Sequence, residues 1–368
     1  MSEIAVRSLA KKIMSEIFYK IITLDRKWYW FPVFAMLKLI SFAYLLGHHF
    51  RLCAYKWGVF PSRKLGCRVI SVGNLTLGGT GKTPFVMMIA ETLRGNGLKP
   101  AILSRGYGGR SSDSINVVCD GKQVFLSPEL VGDEAVMMAE KLKNIPVLTG
   151  PDRYQTGQFA LKHFAVDTLI LDDGFQHLAL KRDLDILLFD HSRPLGNGHL
   201  FPAGELREPA KETRRADLVC FTRYFGGAIN FDTSLLGSIP QVKTHLRLDS
   251  VICMNDDEVL DAETLKNEQV AAFCGIAQPE GFRRILLDSH IRPIFFQSFP
   301  DHHAYTLKNI KELEARAVKE GARFLLLPEK DAVKLKDMKL TLPFFKVVIE
   351  LEILEGRETF NKKITAAS

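Results

Sequence analysis

A glycine-rich loop between an apolar strand and a helix constrains this 368-residue chain more than any other feature of its sequence. Residues 68–73 read RVISVG and are followed by NLTLGGTGKTP, after which a helical pattern begins. Gly78, Gly79 and Gly81 let backbone N–H groups approach phosphate oxygens without a clash from Cβ. The start of the following helix adds partial positive charge. The pattern therefore predicts a phosphate-binding loop in a mostly parallel α/β sheet.

This loop departs from the usual pattern G-x-x-x-x-G-K-[ST] at its first position, where Thr76 stands in place of glycine. The chemistry does not depend on that position, because Lys82 can still reach the β- and γ-phosphates and the Thr83 hydroxyl can bind Mg²⁺. A glycine-rich turn without a ligand is the alternative, and Gly-Lys-Thr between a strand and a helix disfavours it. Lys82 is also a candidate catalytic residue. The predicted ATP-binding residues are Thr76, Leu77, Gly78, Gly79, Thr80, Gly81, Lys82 and Thr83.

A second apolar strand, predicted at 167–172, ends in two carboxylates, Asp172 and Asp173. Because the carboxyl ends of parallel strands meet at one edge of a sheet, these carboxylates are expected beside the phosphate loop, where they can hold Mg²⁺. Thr83 is the third candidate Mg²⁺ ligand. Glu134 is either a fourth ligand or only an acidic residue in the first turn of the helix predicted at 131–143. No guanine-reading N-K-x-D motif follows a later strand, so the expected nucleotide is ATP, with Mg²⁺ as its cofactor.

The remaining strand and helix patterns predict two α/β units. The fold class is therefore α/β: a P-loop NTPase-like domain with a mostly parallel sheet, a second, smaller α/β domain, and an N-terminal membrane-associated helix. Residues 223–268 are mixed and turn-rich, so the domains are predicted at 68–235 and 236–368, after an N-terminal segment at 1–67. Strands are predicted at 68–73, 100–104, 146–149, 167–172, 184–190, 217–222, 269–274, 293–298, 323–327 and 344–350. Helices are predicted at 82–94, 131–143, 152–164, 279–288 and 306–320.

The N-terminal segment is both basic and apolar. Residues 1–70 hold twelve Lys and Arg against three Asp and Glu, whereas the rest of the chain holds 37 against 39. This concentration disfavours a nucleic-acid binder and favours a membrane-facing segment. Residues 28–47 are apolar except for Lys38 and Ser41, and a spanning helix would place Lys38 near the bilayer centre at a cost of about 2.5–3.5 kcal/mol. We predict a helix lying in the membrane interface; a buried core helix and a spanning helix are the alternatives.

Five polar motifs follow the phosphate loop, and a plain ATPase would not need them. They are SRGYGG (104–109), VGDE (131–134), DDGFQH (172–177), PAGELREP (202–209) and DHHAY (301–305). In this order, and with this phosphate loop, they resemble the tetraacyldisaccharide 4′-kinase family of Gram-negative bacteria over residues 68–336. Glu205, and Pro328 in PEKDA, depart from the family pattern, and we assign no role to either.

The resemblance implies ATP- and Mg²⁺-dependent phosphorylation of the 4′-hydroxyl of a lipid-linked glucosamine disaccharide 1-phosphate, a step of lipid A biosynthesis. It also implies an enzyme at the cytoplasmic face of the bacterial inner membrane. The expected partners are the lipid-linked substrate and the inner-membrane surface, with neither nucleic acid nor an obligate protein partner.

Phosphoryl transfer needs a proton acceptor for the attacking hydroxyl, and Asp133 is the candidate. It opens a predicted helix, so a helix-capping role is the alternative, and the match of VGDE to the family favours the catalytic one. His302 can hydrogen-bond Asp133 when the two predicted domains close over the substrates. Its neighbours Asp301 and His303 are expected to orient that loop at the substrate.

The acceptor carries a phosphate, so cations are expected to meet it. Arg105 and Arg153 are the candidates because guanidinium groups bind phosphate with two hydrogen bonds. Arg207 is a third, although an Arg207–Glu208 ion pair closing a loop is its alternative. Gln176 and His177 are placed to contact the sugar hydroxyls.

The rival function is a membrane-associated P-loop ATPase of the partitioning or metallochaperone type. Those proteins use a signature lysine early in the phosphate loop, and residues 74–80 contain no lysine. A non-catalytic nucleotide sensor is a third reading, which the number of Asp, His and Arg motifs disfavours.

Overall fold

The structure is a computed structural model that describes residues 21–22, 28–276, 279–301, 303–336, 338 and 340–366. Within these residues, thirteen strands form a single sheet. In chain order they are β1 (Arg68–Asn74), β2 (Pro100–Ser104), β3 (Asn116–Cys119), β4 (Val147–Thr149), β5 (Thr168–Asp172), β6 (Leu184–Asp190), β7 (Leu218–Thr222), β8 (Gln241–Cys253), β9 (Val259–Leu260), β10 (Val270–Cys274), β11 (Phe296–Ser298), β12 (Phe324–Pro328) and β13 (Phe344–Glu355).

Helices cover the two faces of this sheet, and the first of them packs beside it against the segment around Leu200. In chain order they are α1 (Phe31–Lys56), α2 (Lys82–Gly95), α3 (Pro128–Val131), α4 (Asp133–Lys141), α5 (Arg153–His163), α6 (Pro279–Asp288), α7 (Leu307–Glu320), α8 (Glu329–Ala332) and α9 (Arg357–Thr365). Short 3₁₀ turns occur at Trp28–Trp30, Ala210–Arg215, Thr233–Leu235 and Ala262–Leu265.

The strand order is β11-β10-β12-β13-β8-β7-β6-β1-β5-β2-β4-β3, with β9 paired to β8. Neighbouring strands run parallel except for the pairs β13–β8, β8–β9 and β3–β4. A mostly parallel α/β sheet is therefore confirmed. Strand β1 lies between β5 and β6, and its residue Val72 is directly opposite Asp172 of β5. This register brings the acidic end of β5 beside the start of the glycine-rich loop.

The predicted strands and long helices all occur, within a few residues of their predicted ends. The prediction missed strands β3, β8 and β9 and helices α3, α8 and α9. Strand β8 is thirteen residues long and alternates buried with exposed side chains, because only one of its faces packs against the core. It pairs with β7 on one side and β13 on the other, so the sheet is continuous through both predicted domains. The division at residue 235 stays a prediction.

Helix α1 rests on the remainder of the chain along a narrow stripe. Its buried residues are Phe34, Ser41, His48 and Ala54, and the seven-residue spacing of the first three places them on one side of the helix. The Ser41 hydroxyl donates to the carbonyl oxygen of Leu200 (2.9 Å) and accepts from the backbone N–H of Ala203 (3.0 Å). The PAGELREP segment and the residues just before it therefore form the surface on which this helix packs, called its seat below.

The other sides of α1 are apolar and exposed. Leu39 is 74% exposed, Phe42 61% and Phe50 66%, and Trp57 just after the helix is 74% exposed. Among the described residues, Trp28–Lys56 is the one helical stretch long and apolar enough to cross a membrane, and little of it is covered by the rest of the chain. The buried-core alternative for this segment is therefore disfavoured, because most of its apolar surface meets no other part of the described chain.

Candidate active site

The glycine-rich loop turns back on itself at the end of β1. Gly78 has φ +103° and Gly81 has φ +78°, a left-handed conformation that glycine adopts without strain. The side chain of Asn74 donates to the carbonyl oxygen of Thr76 (2.9 Å), which fixes the first part of the loop. Lys82 Nζ donates to Asn74 Oδ1 (3.1 Å), so the ammonium group lies across the loop rather than in solvent. This is the geometry needed to meet the outer phosphates of a nucleotide.

Neighbouring segments hold this loop on both sides. The Thr222 hydroxyl at the end of β7 donates to the carbonyl oxygen of Thr80 (2.8 Å). The backbone N–H of Leu77 donates to the carbonyl oxygen of Glu205 (2.7 Å), in the PAGELREP motif. Thr83 lies in the first turn of α2 and is buried, with its side chain at the end of the loop. PAGELREP is therefore part of the wall of the phosphate loop.

Asp173 is the centre of an ion-paired group beside the loop. Arg207 Nη1 lies 3.0 and 2.9 Å from its two carboxylate oxygens, and Lys82 Nζ lies 3.5 Å from Oδ1. Burial alone would raise the pKa of Asp173, but Lys82 and Arg207 together hold that pKa below its usual range. The Arg207–Glu208 pair offered as an alternative does not form, since Glu208 pairs instead with Arg215.

Asp172 is buried and has one oxygen without a partner. The Ser104 hydroxyl donates to Oδ2 (3.2 Å), whereas Oδ1 has no hydrogen-bond partner among the described residues. Burial, and then the nearby charges of Glu134 and Asp173, raise the pKa of Asp172 to about 7. A buried carboxylate with an open oxygen beside the phosphate loop fits a divalent cation.

No three Asp, Glu, His or Cys side chains converge as a metal cage in the described part of the chain. Mg²⁺ keeps several waters and is commonly bound through one or two carboxylates together with nucleotide phosphates. Thr83 and Asp172 are the described residues whose positions fit such a site best.

The SRGYGG and VGDE loops are locked together by close backbone packing. A Cβ on Gly132 would clash with the carbonyl oxygen of Tyr107, and a Cβ on Gly109 would clash with that of Leu130. Gly109 and Gly132 therefore allow this contact. The contact fixes the start of α4, and it holds the exposed Arg105 at the edge of the same surface.

Asp133 and Glu134 occupy the first turn of α4, and lysines from the C-terminal part of the chain meet both. Lys334 Nζ lies 3.3 Å from Asp133 Oδ2, and Lys330 Nζ lies 3.0 Å from Glu134 Oε1. Although burial would lower it, the pKa of Lys330 is raised by Glu134 and then by Asp301. The VGDE and DHHAY motifs are thus brought to one place across the sheet.

The DHHAY loop contains both predicted histidines. His302 lies outside the described residues, so its predicted contact with Asp133 stays a prediction. His303 stacks on the Phe299 ring with centroids 4.8 Å apart, and its Nε2 is 3.2 Å from Asn309 Oδ1. These contacts give His303 a role in shaping the loop.

Arg153 and His177 lie together under the loop surface. Arg153 is 4% exposed, and its guanidinium donates to the carbonyl oxygens of Gly150 and Pro151 (3.2 and 3.3 Å), while Nε has no partner among the described residues. Burial lowers the pKa of Arg153. Burial, and then the charge of Arg153, lower the pKa of His177 to about 4.

Gln176 faces the phosphate loop instead of solvent. The Gln176 side-chain Nε2 donates to the backbone carbonyl oxygen of Asn74 (3.0 Å). The backbone carbonyl oxygen of Gln176 accepts a hydrogen bond from the guanidinium of Arg51 in α1. The side chain therefore supports the loop, and its Oε1 is buried without a partner in the described chain.

Sequence reasoning missed four residues of this site: Asn74, Ser104, Lys330 and Lys334. The first two are polar residues that end apolar strands at the carboxyl edge of the sheet, a signal that was present but weak. The two lysines belong to PEKDAVKL. They could not be found from the sequence because their partners, Glu134 and Asp133, are about 200 residues earlier in the chain.

Comparisons with known proteins agree on one family. A family model described as tetraacyldisaccharide-1-P 4′-kinase matches residues 33–367. The tetraacyldisaccharide 4′-kinase of Syntrophus aciditrophicus is 40% identical over 336 residues, covering 88% of this chain and 90% of that protein. The Geobacter metallireducens tetraacyldisaccharide 4′-kinase is 40% identical over 326 residues, covering 88% and 96%. The crystal structure of LpxK from Aquifex aeolicus in complex with ATP is similar with TM-score 0.75 and 34% identity, covering 90% of this chain and 98% of that one.

Replacing Lys82 by alanine tests the phosphate loop. We expect Lys82→Ala to abolish ATP turnover while the thermal unfolding midpoint changes little, because Arg207 still neutralises Asp173. Thr83→Ala should also abolish turnover. The exposed Lys181→Ala serves as a control and should behave like the unaltered chain. Near-normal kcat in Lys82→Ala would show that the loop does not bind the transferred phosphate.

His177 gives a pH-dependent test of the buried surface. Its pKa is about 4 in the folded chain and about 6.5 when unfolded, so the unfolded state binds more protons between these values. The stability that its neutral form contributes is complete above pH 6.5 and is lost as the pH falls towards 4. Melting curves from pH 7 to 4 should therefore fall more steeply for the unaltered chain than for His177→Gln. The exposed His163→Gln should not flatten the curve, and parallel curves for His177→Gln would contradict the assignment.

Proposed function

This chain belongs to the tetraacyldisaccharide 4′-kinase family, and from that membership we infer that it transfers a phosphoryl group from ATP, with Mg²⁺, to the 4′-hydroxyl of a lipid-linked glucosamine disaccharide 1-phosphate in lipid A biosynthesis. The observation that carries this function at the level of the site is the arrangement around the phosphate loop. Lys82 lies across the loop, Asp172 presents an open buried oxygen, and Asp133 opens helix α4, whose next residue, Glu134, acts on the pKa of Asp172. A plain ATPase of the partitioning or metallochaperone type has no use for the last of these.

The phosphate side of the reaction follows from the loop. Backbone N–H groups of residues 76–83 and the Lys82 ammonium group would meet the phosphate oxygens and stabilise the charge that develops during transfer. Thr83 and Asp172 would hold Mg²⁺, which supplies charge neutralisation at the phosphates when it is bound with the nucleotide. Asp173 would support Lys82 from behind and lie near the metal. Glu134 is engaged by Lys330 and would bind Mg²⁺ only after leaving that contact.

The acceptor side would be organised by Asp133. A base must reach the hydroxyl proton within hydrogen-bond distance, so its carboxylate has to be held in a defined orientation. The charge of Glu134, the next residue, raises the pKa of Asp172, which supports a position of this helix start close to the metal-binding carboxylate. His302 would hydrogen-bond Asp133, and Asp301 and His303 would place the loop that carries it.

The acceptor phosphate and sugar would be met by cations and polar groups on the same edge. Arg105 is exposed and free to move toward a lipid headgroup. Arg153 is buried, so an acceptor phosphate would reach it only at the small part of its side chain that is exposed near His177. In this structure Gln176 supports the phosphate loop and Arg207 is paired with Asp173. Both side chains would contact the sugar while keeping these partners.

The enzyme would work at the cytoplasmic face of the inner membrane, with α1 lying on the bilayer. Contacts between α1 and the rest of the chain run from Phe34, which packs on His199, to Arg51, which donates to Gln176. That span covers about 25 Å of helix, close to the thickness of a bilayer core. A helix flanked by globular protein over this length is poorly suited to span the membrane, and its exposed apolar sides suit an interfacial position. No nucleic acid or obligate protein partner is proposed.

The decisive experiment follows the labelled γ-phosphate of ATP in the presence and absence of the 1-phosphorylated disaccharide lipid. Transfer of label to a chloroform-soluble sugar lipid is the expected result. Release of inorganic phosphate alone, whether or not the lipid is present, would favour the ATPase function instead.

Asp133→Asn tests the proposed base. We expect kcat to fall by about 10²- to 10⁴-fold with little change in the KM for ATP, since a positioned base acts on the acceptor in the transfer step. His302→Ala should lower the same step and be non-additive with Asp133→Asn. Fully additive losses in the double variant would contradict the proposed pair.

The exposed side of α1 can be tested without disturbing its seat. Leu39→Glu combined with Phe42→Glu should move protein from the membrane to the soluble fraction and raise the KM for the lipid, leaving the KM for ATP unchanged. Val318→Glu, at an exposed apolar residue on α7, is the matched control and should keep the distribution of the unaltered chain. A Leu39→Glu/Phe42→Glu variant that still pellets with membranes would contradict the interfacial helix.

A further inference from the structure

The segment PEKDAVKL, residues 328–335, lies at the active site although no catalytic role was assigned to it. Its lysines Lys330 and Lys334 are four residues apart and pair with consecutive carboxylates of α4, Glu134 at 3.0 Å and Asp133 at 3.3 Å. These carboxylates are about 200 residues away in the sequence. Two consecutive acidic residues are thus met by two cations from one short helix and the turn that follows it.

Lys334 is itself held in place from behind. Asp331 is fully buried, and its Oδ1 lies 3.0 Å from Lys334 Nζ. Its other oxygen, Oδ2, accepts the backbone N–H of Gly275 (2.6 Å), at the end of β10. The buried carboxylate therefore anchors the lysine to the sheet, and the lysine extends from this anchor to Asp133.

The contact between Lys334 and Asp133 is well shielded. The side chains are 10% and 14% exposed, respectively, so water screens the pair far less than a surface ion pair. A carboxylate in the first turn of a helix is otherwise able to rotate about two side-chain bonds. An ammonium group held on one of its oxygens restricts that rotation.

We propose that Lys334 is a positioning residue for phosphoryl transfer, which holds the carboxylate of Asp133 in the orientation that accepts the proton of the acceptor hydroxyl, with Asp331 as its anchor. The inference rests on the proposed function of Asp133 as base. Lys334 contacts neither the nucleotide nor the acceptor in this role. Lys330 would orient Glu134 in the same way, one position along the helix.

Other ion pairs on the same interface separate positioning from simple adhesion. Lys336 Nζ lies 2.8 Å from Glu140 Oε1, and Lys141 Nζ lies 3.2 Å from Glu329 Oε2. These pairs join the same two segments but touch neither Asp133 nor Glu134. If the lysines served only to hold the segments together, losing the partly buried Lys141 pair would also lower activity, whereas the exposed Lys336 pair contributes little in either case.

The test measures kcat and KM for Lys334→Met with ATP and the 1-phosphorylated disaccharide lipid. We expect kcat to fall on the order of 100-fold, as for a misplaced catalytic group, with the KM for ATP unchanged. Lys141→Met is the matched control, a 29% exposed lysine whose ion pair with Glu329 joins the same two segments, and it should keep kcat within twofold. Equal losses in both variants would overturn the proposal.

A second variant covers the case in which Lys334→Met leaves Asp331 as an unpaired buried charge and fails to fold. Asp331→Asn combined with Lys334→Met removes that charge and keeps an acceptor for the N–H of Gly275. The proposal expects this double variant to fold, with a normal melting curve, and still to show the low kcat. Recovery of kcat in the folded double variant would assign Lys334 a structural role only.

The last arm places Lys334→Met in the Asp133→Asn background. If Lys334 acts through Asp133, the added loss should be less than twofold, whereas a full additional loss would overturn the inference. The Asp133→Asn single variant reports separately on the proposed function. If it remained active, the base assignment itself would fail, and that result is distinct from an active Lys334→Met variant in an otherwise normal enzyme.

Discussion

The ion-paired group around Asp173 is the interaction on which the site depends. Asp173 follows the buried strand β5 in a left-handed conformation, at φ +56°, which turns its carboxylate toward the phosphate loop. It binds Arg207 from one motif and Lys82 from another, so three loops meet on one side chain. The Asp173 side chain is 35% exposed, and the two cations hold its pKa below the usual range. The fold therefore has to bring both cations to this point before the site can form.

Helix α1 is connected to that same group through Arg207. The hydroxyl of Tyr44 donates to the backbone carbonyl oxygen of Arg207 (2.8 Å), while the guanidinium of the same residue binds Asp173. Nearby, the guanidinium of Arg215 lies 4.4 Å from the centre of the Phe175 ring, two residues beyond Asp173. A helix that rests on a bilayer would therefore also fix one wall of the nucleotide site. The hydrogen bond from Tyr44 therefore links the apolar N-terminal helix to the PAGELREP motif and, through Arg207, to Asp173.

The elements around the phosphate loop could be predicted because each is signalled locally. Continuous apolar runs marked β1 and β5, and Asp172 and Asp173 stood at the end where parallel strands place ligands. Strand β8 was missed because one of its faces is exposed and its local sequence is mixed. The contact between Lys334 and Asp133 could not be predicted at all, since it depends on the order of strands in the sheet. Local patterns identify elements, whereas pairs distant in sequence are settled by topology.

The two adjacent aspartates differ in their electrostatic surroundings, and this difference argues for a division of work between them. Asp173 has two cations and a lowered pKa, whereas Asp172 has a hydroxyl donor, an open oxygen and a raised pKa. Asp172 has no cation paired with it among the described residues, and a bound Mg²⁺ would supply that positive charge. If Lys82 turns from Asp173 to the phosphates of ATP, as the proposed function expects, Asp173 loses one of its two cations. Because Arg207 contacts both oxygens of Asp173, that carboxylate stays paired, and Lys82 is released at little electrostatic cost.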